Sequence, residues 1–165
     1  MLKDQIEKYA LYNVWANKKV IDFLLAVGSD SLTKEQPSSF NSLQKTAYHI
    51  YDAEYVWLKR MKYEPWTWPP SAEFTSISFE AFCLKWKTVS NELINYVQSL
   101  SEKKLQNFCS YKNSKGEDFT TSFADCIMHC LNHSTYHRGQ IITMLRSAGF
   151  TKVASTDYIT FTREL

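Results

Sequence analysis

The chain has 165 residues, 44% hydrophobic and 22% charged, with few Gly and Pro, a composition for one globular domain spanning 1–165 with a core of useful size. Nineteen basic residues are scattered among 17 acidic ones for a net charge of +2. No basic block or stripe stands out, which removes the electrostatic footprint of nucleic-acid binding. No run approaches the roughly 18 apolar residues that span a bilayer, and "MLKDQIEKYALYNVWANKK" lacks the apolar core of a signal peptide, so the expectation is a cytoplasmic chain with no membrane contact.

Four long segments carry helical patterning. The first runs from about residue 2 to 27, with Leu2, Ile6, Tyr9, Ala16, Val20, Phe23 and Val27 at spacings of three and four and Gly28 as its stop. The second opens after "QPSSFN", capped by Ser39 or Asn41, and reaches about Met61 on a face of Leu43, Ala47, Ile50, Trp57 and Met61. "YEPWTWPP" then breaks any helix, because proline lacks the amide hydrogen and clashes with the preceding turn. A third helix is predicted from near Ser78 to near Leu100, striped by Phe79, Phe82, Trp86, Val89, Leu93, Tyr96 and Leu100. "FCSYKNSKGEDFTTS" is turn-rich around Gly116 and suits a short hairpin. The last long helix opens at Thr121 or Ser122 and runs to about Ala148, with Gly149 in the left-handed closing position. The tail "STDYITFTREL" alternates loosely and is expected to lie extended over the bundle. The predicted fold is therefore all-α, a four-helix bundle with long connecting loops and a short hairpin between the third and fourth helices.

"HCLNHSTYHRGQ" places His129, His133 and His137 four residues apart. Neighbours at that spacing share one helical face about 6 Å apart along the axis, close enough to bind one ion. Residues eight apart are separated by about 12 Å, too far for two bonds of about 2.1 Å. The helix thus offers His129/His133 or His133/His137. His133 and His137 share a stripe with Cys126, Cys130, Ile141 and Met144, which favours the later pair modestly. His49, beside the apolar seam of the second helix, can add a third nitrogen, since bundle sites draw on facing helices. Three nitrogens with an open position is the pattern of a catalytic metal site. The competing reading is a set of hydrogen-bonded imidazoles with no ion.

"LNHSTYHRGQIITMLRSAG" resembles the fourth-helix signature of the DinB-like family, NHxxYHRGQ followed by an apolar run and Gly. "YNVWANKKVIDFLL", "SSFNSLQKTAYHIYDAEYVWLKR" and the closing "STDYITF" resemble its first helix, second helix and tail, so the resemblance touches most of the chain. It implies a four-helix bundle, frequently a homodimer, with one divalent metal ion (Zn, Ni or Fe) held by a histidine triad. Carried onto this sequence, the ligands are His49, His133 and His137, with His129 left as a neighbour.

Other residues carry two readings each. Asp52, one turn after His49, can orient the free N–H of that ring, or can be an exposed helix carboxylate like Glu54. Asn132, Tyr136 and Gln140 can steady a ring or serve as plain helix-surface polar groups. Arg138 is expected to pair with Asp52 or Glu54. Gly139, unfavourable in a helix by about 1 kcal/mol, calls for close approach of another helix or of a partner subunit. Cys126 and Cys130 with His129 and His133 mimic a closed CxxHCxxH zinc site, which leaves His49 and His137 unexplained; the four cysteines otherwise read as free thiols. "EPWTWPP" either walls an apolar pocket or packs on the bundle end.

The function expected is metal-dependent catalysis, since such an ion lowers the pKa of bound water or activates a thiolate. The family resemblance implies transfer or isomerisation using a low-molecular-weight thiol, with a small electrophile as its partner. Metal-assisted hydrolysis uses the same ligands, but no Glu stands where HExxH places a general base. The alternative is a non-enzymatic stress- or damage-induced metal-binding or sensing protein, and a third is a bundle whose histidines are remnants.

Overall fold

Apolar residues recurring every three or four positions build the long helices, and serines start three of them. In a computed structural model describing residues 1–74 and 76–165, the first helix, α1, covers Leu2–Ala26. A single turn, α2 (Ser29–Thr33), follows Gly28, whose φ of 87° only glycine adopts freely. The second long helix, α3 (Leu43–Lys62), is capped by Ser42, whose side chain accepts from the Lys45 amide, and not by Ser39 or Asn41. Asn41 instead takes a left-handed φ of 44° that turns the chain into the cap. After a 3-10 turn at Pro70–Phe74, α4 (Phe79–Ser99) starts from Ser78 as predicted. A further turn, α5 (Glu102–Gln106), leads into the hairpin of β1 (Phe108–Lys112) and β2 (Asp118–Ser122), antiparallel with Phe108 opposite Ser122 and Lys112 opposite Asp118. The last long helix, α6 (Phe123–Ser147), begins at Ser122. The tail corrects the sequence expectation: it closes in a short helix, α7 (Tyr158–Arg163), because Phe161 finds a seat against Tyr12 and Trp15.

The long helices pack as a ring in which α3 meets α6 most extensively, α6 meets α1, α1 meets α4 and α4 meets α3. Consecutive α1 and α3 therefore sit on a diagonal, which explains why the connection between them is long. Two apolar clusters fill the bundle. One is built around Leu58, Leu93, Phe123 and Ile127, the other around Val20, Ile50, Phe82, Trp86 and Leu145. Among the described residues, no helix is long and apolar enough to cross a membrane.

Between the clusters lies a polar layer. Glu54 is fully buried; its Oε1 accepts from Asn13 Nδ2 (2.7 Å), Asn17 Nδ2 (2.8 Å) and Ser134 Oγ (2.9 Å), and its Oε2 accepts from Ser90 Oγ (2.7 Å). Buried Arg138 donates to the Oδ1 atoms of both asparagines and to Thr135 Oγ1. The expected contact of Arg138 with Asp52 or Glu54 is thus replaced by an amide bridge, and neither carboxylate is the exposed one that the alternative reading supposed. A carboxylate removed from water needs its lone pairs filled by donors, and here the other three long helices, α1, α4 and α6, all supply them to α3.

A candidate metal centre between α3 and α6

His49 lies on the face of α3 that meets α6, and His133 and His137 occupy successive turns of α6 opposite it. The Nε2 atoms of His49 and His133 are 3.0 Å apart, and one ligand nitrogen from each of the three rings lies within 4.8 Å of the others. Two bonds of about 2.1 Å to one ion separate their nitrogens by roughly 3.0 to 3.4 Å for right-angled to tetrahedral geometry. One pair already meets this spacing, and a nitrogen of the third ring lies within 4.8 Å of both. Phe40 stacks on His49 with centroids 3.9 Å apart and sets its edge to His137, while Trp68 approaches His49 edge-on.

The orientation of His137 is fixed by one side chain. Gln140 Nε2 donates to Ser39 Oγ (2.9 Å), which turns its Oε1 toward His137 Nδ1 at 2.8 Å. Nδ1 therefore carries the proton, and Nε2 keeps a free lone pair. Burial, reinforced by the neighbouring His137, lowers the pKa of His49 to about 4. Burial and then the other three imidazoles lower that of His133 to about 3. His137 is also lowered by burial, with its bond to Gln140 working the other way. All three are neutral at physiological pH, the state that ligates. His133 Nδ1 is buried without a partner, as suits a ring positioned by its other nitrogen. The donor set fits a divalent ion.

His129 stays outside this cluster, its ring 6.0 Å from His133 and edge-on to Trp57 at 5.0 Å. Asp52 does not orient His49. It accepts from the amide and hydroxyl of Ser71, each at 2.7 Å, and so anchors the 3-10 turn. The CxxHCxxH alternative fails as well. Cys126 faces Cys109 beneath the hairpin, Cys130 points into the core beside Glu54, and all four cysteines are buried free thiols. Among the described residues Gly139 meets no other helix: a Cβ there would find nothing within 4 Å, and its face of α6 lies open beside exposed Tyr136.

A cavity of about 200 Å³ opens beside the triplet, lined by His49, His133, His129, Trp57, Trp68 and Arg60, with Asn113 and Ser114 of the hairpin turn at its rim. The Trp-rich loop does both things expected of it: Trp68 walls this cavity, and Trp66 packs on Arg60 with 4.5 Å between guanidinium carbon and ring centre. Sequence reasoning passed over Phe40, Arg60 and the hairpin turn. Only Arg60 left a signal, because eleven residues return to within about 20° of the same helical face as His49. A larger groove of about 510 Å³ between α3 and α4 has no histidine in its lining.

Fold and site together define a class, that of helical bundles with a neutral three-histidine cluster that could hold a metal between two facing helices. The chain belongs to the DinB family, whose pattern matches residues 1–164. It is similar to Protein DinB of Bacillus subtilis (strain 168), with 27% identity over 159 residues that cover 89% of this chain and 87% of that protein.

Proposed function

We propose that His49, His133 and His137 hold one divalent ion and that the protein is a metal-dependent enzyme, with thiol-dependent transfer to a small electrophile favoured over hydrolysis. The observation that carries this reading is the convergence of three neutral imidazoles, one of them held in place by Gln140, beside a cavity of about 200 Å³. A divalent ion there supplies Lewis acidity that ionises a thiol or a water near neutral pH. The chain's own part is to hold the nitrogens, to wall the approach with Trp57 and Trp68, and to keep acidic groups away. Asp52 is tied to Ser71 and Glu54 to the polar layer, so neither stands beside the cavity as a general base. That arrangement supports a nucleophile activated at the ion over one that needs a neighbouring carboxylate.

Metal analysis of untagged protein is expected to give close to one divalent ion per chain, and His49→Ala or His137→Ala to lose it. Wild-type protein that binds no zinc, nickel, iron or cobalt overturns the reading. Thiol-dependent consumption of a chlorodinitroarene by loaded protein, lost in the same variants, separates an enzyme from a sensor. We further propose a homodimer that uses the α6 face around Gly139, since among the described residues no intramolecular contact accounts for a glycine there.

A further inference from the structure

The guanidinium of Arg60 is enclosed by Trp57, Trp66 and Tyr111, its carbon 4.8, 4.5 and 5.4 Å from their ring centres. Its Nε is buried with no acceptor, and among the described residues no carboxylate pairs with it. Aromatic faces stabilise the charge but fill none of the in-plane N–H positions. A half-desolvated fork of this kind matches an oxyanion in two parallel hydrogen bonds. The same side chain lines the cavity beside the triplet, where Asn113 and Ser114 add polar groups at the rim. Along α3, His49, Ala53, Val56, Trp57 and Arg60 form one cavity-facing stripe, and the eleven residues from His49 to Arg60 span about 16 Å of helix.

We propose that Arg60 heads an anion subsite and that the substrate is an elongated organic acid, with its reacting atom at the three histidines and its carboxylate or phosphate on Arg60. The elongated part of this proposal rests on the reading of the triplet as the reacting centre, whereas the anion subsite does not. Trp57 and Trp68 present flat apolar walls to the middle of such a molecule, and Arg60 selects the acid over its neutral isostere. A purely structural Arg60, pinning the Trp loop to the hairpin, predicts no such selection.

The subsite is tested on metal-free protein by tryptophan fluorescence with benzoate, phenyl phosphate and benzamide. At least one acid is expected to bind roughly ten-fold or more tightly than the amide, as charge-assisted pairing gives. Benzoate or phenyl phosphate as the preferred probe identifies the oxyanion. In ¹⁵N NMR spectra the Arg60 Nε–H signal should move with the acid and stay with benzamide, a readout that needs no variant. Arg60→Gln should erase the preference and Arg60→Lys keep part of it, with circular dichroism unchanged. Equal binding of acids and amide by the wild type, or an unaltered preference in Arg60→Gln, overturns the subsite.

Length is tested on cobalt-loaded protein, through the sulfur-to-cobalt absorption band. 8-Mercaptooctanoate should outbind 8-mercaptooctanol, while mercaptoacetate should show no advantage over mercaptoethanol. No acid preference in the long pair overturns the elongated substrate. Failure to bind cobalt at all overturns the triplet as the reacting centre and the elongated substrate with it, and the fluorescence arm still decides the subsite.

Discussion

A single amide, that of Gln140, determines which nitrogen of His137 is available. Its carbonyl is turned inward because its NH₂ group is held by Ser39, so the ring is locked before any ion arrives. Outer partners of this kind are worth about 10–100-fold in metal affinity. Gln140→Ala is therefore expected to weaken zinc binding by that range in a competition with a chromophoric chelator, and Ser39→Ala by less. Unchanged affinity in Gln140→Ala would show that packing against Phe40 alone fixes the ring. At this scale the sequence was informative but incomplete. The spacing of four named two pairs without separating them, and the family resemblance carried the choice of His133 and His137. The role of Asp52 was hidden because its partner, Ser71, lies in a turn after three prolines, where no periodicity indicates direction.

At the scale of elements, helix existence was legible and helix arrangement was not. Apolar periodicity located α1, α3, α4 and α6, and the serine starts of α4 and α6 could be read directly. The ring order depends on a diagonal step between α1 and α3, which no local pattern encodes. Asn13 and Asn17 interrupt the apolar stripe of α1 one turn apart, and that interruption was the available clue to a buried polar partner. Breaking such a layer at its centre is costly. Glu54→Ala takes the acceptor from Asn13, Asn17, Ser90 and Ser134 and leaves the buried Arg138 charge without its counter-charge, and a loss of about 3–5 kcal/mol is expected from urea unfolding. Glu54→Gln should cost less, since the amide oxygen still accepts. A loss below about 1 kcal/mol for Glu54→Ala would mean that water enters the layer and satisfies it.

For the whole molecule, the open face of α6 bears on assembly. Sedimentation equilibrium is expected to show two copies of the chain, and Gly139→Leu to shift the population toward one copy while the metal content stays near one per chain. A wild-type monomer at micromolar concentration would end the dimer proposal. The polar layer has a broader consequence. Glu54 lies five residues after His49 and Arg138 directly after His137, and both turn into the interior, so cohesion and chemistry are assigned to different residues of the same two helices. Evolution can therefore exchange the ligands, the hairpin turn and the Trp loop with little risk to folding. A protein engineer has the same freedom: the bundle is a chassis on which a different metal or a different reaction can be tried one residue at a time.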